Sequence, residues 1–241
     1  MRQKLAGVKN VAALQAAFET LSNRDAGIPG MGLVHGFTGA GKTTAISWLV
    51  NRTNGVYARA YGTWTPNSML GSIMHELGAA PLQRSAQMLK YITGDLERTN
   101  RPLFIDEANY FAGDTAMLDT LRDIHDVSNV PVILIGHEGT ERKLIHRAQL
   151  ARRISEWVEF KPLDAEDARI LADTVAEVAI ADDLLAELHA HAKGSMGLMT
   201  VGLARVEAMA KANGWKRVDA DQWAGRAFFL GNAPKSTNGR G

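Results

Sequence analysis

Eight residues constrain this chain more than all the rest. Gly36-Phe37-Thr38-Gly39-Ala40-Gly41-Lys42-Thr43 fits the pattern G-x-x-x-x-G-K-[ST] at every fixed position. The residue types suit one task. Glycines let backbone N–H groups curl round phosphate oxygens, Lys42 reaches the β- and γ-phosphates, and the Thr43 hydroxyl is a ligand for Mg²⁺. The helix that begins there turns its positive end toward the anion, so Thr44 belongs to the same cradle. Gly32–His35 just before the loop reads as a strand and the run from Thr43 as a helix, the context the motif needs. A chance glycine-rich turn has no reason to show both. The chain is read as binding a nucleoside triphosphate with Mg²⁺.

Strand and helix patterns alternate on both sides of this loop. Val8–Leu21 places Val11, Leu14, Phe18 and Leu21 on one helical stripe. Short apolar runs at Met31–His35, Gly55–Tyr61, Leu103–Ile105, Pro131–Ile135 and Trp157–Phe160 predict strands. Thr43–Arg52, Pro66–Leu77, Arg84–Arg98, Thr115–Val127 and the basic run Thr140–Arg152 predict helices. Such alternation specifies an α/β fold, a mostly parallel sheet covered on both faces. After Pro162 three helices follow, Asp164–Val178, Ala181–Ala192 and Leu198–Ala212, with little strand character between them. The expected organisation is an N-terminal helix and lead-in at 1–30, an α/β nucleotide-binding domain at 31–162 and a small helical domain at 163–229. The polar, Gly-rich tail at 230–241 is expected to be disordered.

Leu103-Phe104-Ile105-Asp106-Glu107 ends a strand in two adjacent carboxylates. After a phosphate loop, Asp106 is placed to hold Mg²⁺ and Glu107 to polarise the attacking water as general base. No N-K-x-D or T-K-x-D run for guanine recognition is present, so ATP is the expected nucleotide. At the tip of the PVILI strand stand His137 and Glu138. His137 is preferred as a hydrogen-bond donor to the γ-phosphate or the water; the alternative is a capping or exposed histidine. Arg152-Arg153 ends the basic run. Either could reach a neighbouring subunit's γ-phosphate as a finger in trans, with Arg153 slightly favoured. The alternative is a pair of arginines compensating a helix dipole.

Composition works by exclusion. With no cysteine, disulfides, thiolate zinc sites and thiol catalysis are ruled out. No apolar run approaches the roughly 20 residues needed to span a bilayer. The first residues lack the continuous apolar core of a secretory signal. A cytoplasmic protein with no membrane partner is expected. Net charge is +1, yet residues 1–60 carry seven Lys and Arg against two acids, and residues 156–187 two against ten. That asymmetry suits a basic face for nucleic acid, and equally a set of solvated helix faces.

GFTGAGKTT, LFIDEANYF, PVILIGHEG and QLARRISEWVEFKPL, followed by helices, resemble the AAA+ ATPases of DNA transposition. The likeness covers roughly residues 8–212. It is nearest to the MuB target-selection proteins of Mu-like transposable phages, with TnsC-type and ExeA-type ATPases as more distant relatives. The resemblance implies a five-stranded parallel sheet of order 5-1-4-3-2, with ATP between the α/β core and a helical lid. It implies ATP-dependent head-to-tail self-assembly as a helical filament or ring on double-stranded DNA without sequence preference. It further implies delivery of that DNA to a DDE transposase, and slow, assembly-stimulated ATP hydrolysis that releases the filament.

Two departures matter. Only about 30 residues precede the loop, too few for the helix-turn-helix domain of some phage relatives, so any DNA contact is expected from the core. Many AAA+ lids open a helix with an arginine, whereas residues 194–199 hold none and the next is Arg205. Own-subunit sensing of the γ-phosphate would then be weak. Candidate DNA contacts are Arg59, Thr63, Trp64, Arg84, Lys90 and Arg98, with Lys216, Arg217 and Arg226 as a second basic patch. Trp64 could press on a sugar or pack beneath the next helix. The competing readings are a secretion ATPase, which would bring a membrane or wall-binding segment, and a helicase loader or replication initiator, which usually brings a further domain. A non-hydrolysing switch would not need Glu107.

Overall fold

The computed structural model describes residues 1–25 and 27–229. They form two compact units, one of residues 9–161 and one that joins residues 1–8 to those from Pro162 onward. The expected tail at 230–241 lies outside the described residues.

In the larger unit, α1 (Lys9–Ser22) precedes β1 (Met31–Gly36) and α2 (Lys42–Thr53), then β2 (Val56–Arg59), α3 (Pro66–Glu76) and α4 (Ser85–Thr99). Next come β3 (Leu103–Asp106), a single 3-10 turn at Ala108–Tyr110, α5 (Thr115–Ser128) and β4 (Val132–Ile135). The short α6 (Thr140–Ile145) and α7 (Ala148–Ala151) lead to β5 (Ile154–Phe160). The sheet runs β2-β3-β4-β1-β5 and every pairing is parallel, which is the expected order read from the other edge.

Strand alternation divides two cores. Leu33, Val56, Ile105 and Leu134 point to one face, where Met69, Ile73, Met88, Ile92, Leu121 and Ile124 from α3, α4 and α5 cover them. On the other face Phe18 of α1 stacks on Phe104 of β3, with ring centres 6.1 Å apart. Gly32 leaves room there, since a Cβ on it would lie 2.9 Å from Leu21 Cδ1. The middle strands β3 and β4 are buried at every residue, as expected of parallel strands covered on both sides.

The basic run expected as one helix over 140–152 breaks in two. Arg147 leaves helical geometry at φ −97°, ψ 76°. Its guanidinium instead donates to Thr115 Oγ1 at 3.0 Å and to the Gly113 carbonyl, tying the break to the start of α5. The last strand begins at Ile154, three residues before the apolar alternation becomes clear.

The smaller unit holds α8 (Ala165–Val175), β6 (Ala179–Ile180), α9 (Asp182–Ala192), α10 (Met196–Ala212), β7 (Arg217–Val218) and α11 (Ala220–Trp223). The β6–β7 pair is parallel and only two residues long, too short for a sequence period to reveal. Glu207 of α10 is buried, accepting from Lys211 Nζ at 2.8 Å and from the Glu177 backbone N–H at 2.8 Å. No helix among the described residues is long and apolar enough to cross a membrane.

Candidate active site

The carboxyl ends of β1, β3, β4 and β2 lie side by side, and each contributes to one site. From β1 comes the phosphate loop. Gly36 sits at φ +117°, and a Cβ on it would lie 2.4 Å from the Phe160 carbonyl oxygen, so only glycine fits. Gly39 and Gly41, both at φ +88°, hold the left-handed backbone that bends the loop. Gly41 caps α2 without a side chain, leaving the first-turn N–H groups with no partner inside the helix. Thr38, Thr43 and Thr44 are exposed, whereas Ala40 is buried beneath the loop, its N–H donating to Phe37. Lys42 is buried, and its Nζ donates to the Gly36 and Phe37 carbonyls at 2.8 and 2.9 Å. Burial pulls the pKa of its ammonium below the ordinary lysine value, opposed by the carboxylates of Asp106 and Glu107.

At the tip of β3, Asp106 is buried and doubly bonded. Its Oδ1 accepts from the Glu107 N–H and its Oδ2 from the Tyr57 hydroxyl, each at 2.7 Å. Burial and that bond raise the pKa of the Tyr57 phenol far above its usual value, so Tyr57 remains a donor. Glu107 occupies the left-handed region at φ 59°, ψ 37°, a conformation that costs a residue with a Cβ about 1–2 kcal/mol. Its carboxylate is held from both neighbouring strands. Arg59 of β2 donates to Oε1 at 3.0 Å, and His137 beyond β4 lies with Nε2 2.9 Å from Oε2. Beside them, His35 Nδ1 is 3.1 Å from Glu141 Oε2, which also accepts from the Gly139 N–H.

This donor set fits a magnesium-bound triphosphate: a backbone cradle closed to Cβ atoms, an uncapped helix start, an ammonium, a hydroxyl and a buried carboxylate. Residues 36–44 would hold the phosphates, and Thr43 and Asp106 the Mg²⁺. Bound there, MgATP supplies the γ-phosphoryl group and a metal that neutralises its charge. A general base at Glu107 would take its proton from water onto a carboxylate oxygen. Arg59 on Oε1 and His137 on Oε2 hold that carboxylate from either side.

Sequence reading missed two partners. Tyr57 holds Asp106 and Arg59 holds Glu107, because the β2–β3 register sets Arg59 opposite Asp106. Their spacing of two on β2 was readable, but not the neighbour they would meet.

The paired arginines stand apart from this cluster. Arg153 donates to both oxygens of Asp126, at 2.8 and 3.0 Å, which lowers the aspartate's pKa. Arg152 caps α7, is exposed, and has no side-chain partner among the described residues. Of the DNA candidates, Thr63, Arg84 and Lys90 are exposed and Arg98 pairs with Asp95. The Trp64 ring is partly buried, stacks on Phe111 with ring centres 6.5 Å apart and packs against the core. Arg226, just past α11, donates to the Gln222 and Trp223 carbonyls of that helix, and Arg205 to the Ala227 carbonyl.

Residues 27–144 match the family model described as an AAA domain. That segment is similar to an AAA domain over slightly less than half of the chain. The match spans the phosphate loop, the Asp106-Glu107 pair and the His137 tip. No curated protein matches the chain. Among solved structures, Cdc6p from Pyrobaculum aerophilum is similar at 17% identity and TM-score 0.64, covering 90% of this chain and 65% of that one. The Aeropyrum pernix ORC1 protein, solved in complex with DNA, is similar at 17% and 0.64, covering 92% and 64%. A Walker-type ATPase of Pyrococcus abyssi is similar at 15% and 0.61, covering 88% and 69%. The chain thus spans slightly less than two thirds of the first two, and these likenesses carry the fold.

Proposed function

We propose that this chain is an ATP-dependent DNA-binding AAA+ ATPase whose hydrolysis is gated at Glu107. One observation carries the reading: the candidate general base is clamped by Arg59, an exposed cation able to meet a DNA phosphate instead. A half-exposed ion pair exchanges readily with a competing anion. DNA that draws Arg59 away frees Oε1, so DNA binding and hydrolysis are coupled through one side chain.

In this proposal ATP-bound subunits assemble head to tail on double-stranded DNA without sequence preference. Arg152 reaches the neighbour's γ-phosphate. The motifs quoted above favour target delivery to a DDE transposase. A second reading is a replication initiator or helicase loader, favoured by the fold shared with Cdc6p and with a DNA-bound ORC1 protein.

The test is negative-stain microscopy with random-sequence duplex, comparing ATP, ADP and a slowly hydrolysed analogue, alongside phosphate release with and without DNA. Nucleotide-dependent filaments and DNA-stimulated release support the proposal. Closed rings indifferent to DNA would sink it. Stimulation of a DDE transposase's strand transfer separates transposition from loading of a replicative helicase.

A further inference from the structure

The carboxyl ends of β2 and β3 carry two rings that hydrolysis does not use. Tyr61 is 62% exposed and Tyr110 58%, although both are large aromatic residues beside a packed core. They are neighbours. A Cβ on Gly62 would lie 3.7 Å from Tyr110 Cδ1, so that ring runs along the backbone next to Tyr61. Neither hydroxyl has a hydrogen-bond partner among the described residues. Tyr61 also lines a cleft of about 600 Å³ between β2 and α3, together with Arg59, Asn67, Ser68 and His75. Glu76 is the one acid in that lining, and His75 Nδ1 lies 3.9 Å from its carboxylate.

We infer that this surface binds single-stranded nucleic acid: unpaired bases stack on Tyr61 and Tyr110 while a phosphate of the same strand meets Arg59 in the cleft. The chemistry selects this occupant. Every base has a π-face, so two tyrosines accept any sequence, and a guanidinium beside them supplies the charge that tracks a backbone. Amide and hydroxyl groups of Asn67 and Ser68 suit sugars and phosphates. The cleft volume falls in the range that encloses small organic ligands, enough for a nucleotide unit. A duplex hides its base faces, so it can reach Arg59 but not the rings. The inference rests on the nucleic-acid reading above and deepens it, adding a preference for unpaired bases at the same edge of the sheet.

The experiment uses the full chain with a 20-nucleotide dT strand and a random 20-base-pair duplex, measured by fluorescence anisotropy over a series of salt concentrations. Tyr61→Ala and Tyr110→Ala should each weaken binding of the strand about tenfold, a typical stacking loss. The Tyr→Phe variants should bind as the wild type does. Duplex affinity and the salt slope should stay unchanged in all four, because no charge is removed. Arg59→Gln should lower the slope by about one for both forms of DNA. Both rings stand in solvent, so matching thermal melts will establish that the variants fold. Strand binding that ignores the tyrosines, with duplex binding intact, would overturn this inference alone. A wild-type chain that binds neither form would overturn the parent reading as well. Tyrosine variants that lose self-association without DNA, and not strand affinity, would reassign the pair to a contact between copies.

Discussion

Glu107 carries left-handed backbone strain, while Arg59 and His137 hold its carboxylate from either side. In the proposed reading this is a base held until a ligand rearranges it. Glu107→Gln should keep nucleotide affinity while lowering turnover by about 10²–10⁴-fold, measured as phosphate release at saturating ATP. Arg59→Ala should act in the opposite sense without DNA, raising basal turnover, and should also shrink the stimulation by DNA. Basal turnover that falls in Arg59→Ala would contradict the clamp. A second buried residue has a structural role. His125 holds the far end of the sheet, with Nδ1 2.9 Å from the Val130 carbonyl and Nε2 accepting from the Gly30 N–H. Burial lowers its pKa below 6.5, so the unfolded chain takes up a proton first as pH falls. Stability is therefore full above about pH 6.5 and declines as pH drops toward the folded value, by at most about 1.4 kcal/mol per pH unit. Urea unfolding of wild type and His125→Gln from pH 8 to pH 5 should give curves that converge on the acid side.

Helices show where local rules held and where they lost. Pro66 opens α3 behind a Thr65 cap, and Asn54, Asn100 and Asn129 close α2, α4 and α5 in left-handed geometry, signals visible in the sequence. Arg147 broke its helix for a contact that lies more than 30 residues away, which no window reads. Glycines inside helices separate the two regimes. Gly94 on α4 has open space around it, so Gly94→Ala should stabilise by about 0.5–1 kcal/mol through helix propensity. At Gly202 on α10 a Cβ would lie 2.2 Å from Cδ1 of the fully buried Leu188. There the same change should destabilise by about 1–3 kcal/mol through overpacking. Thermal and urea unfolding of both variants will check the signs.

At the scale of the molecule, the proposed finger is a guanidinium that one chain offers to the next. Arg153 pairs with both oxygens of Asp126, whereas the exposed Arg152 has no side-chain partner among the described residues and is the one proposed for that role. A head-to-tail contact closes into a ring or continues as a filament according to its rotation. Arg152→Ala should bind ATP normally and lose the assembly-stimulated rate by orders of magnitude. Mixed with Lys42→Ala it should regain part of that rate, since one variant supplies the nucleotide site and the other the finger. A mixture no more active than its separate components would argue against a finger in trans.

The phosphate loop, the carboxylate pair and the strand-helix alternation were legible in the amino-acid order. Each is written in short spacings: glycines where φ must be positive, apolar runs of strand length, an acid at a strand tip. Tertiary structure alone decided which side chains meet. That β2 lies beside β3 is a pairing between segments more than 40 residues apart, and it alone sets Tyr57 on Asp106 and Arg59 on Glu107. Periodicity records which face a residue turns to the core, whereas partners across the sheet depend on strand order and register, which no local pattern encodes.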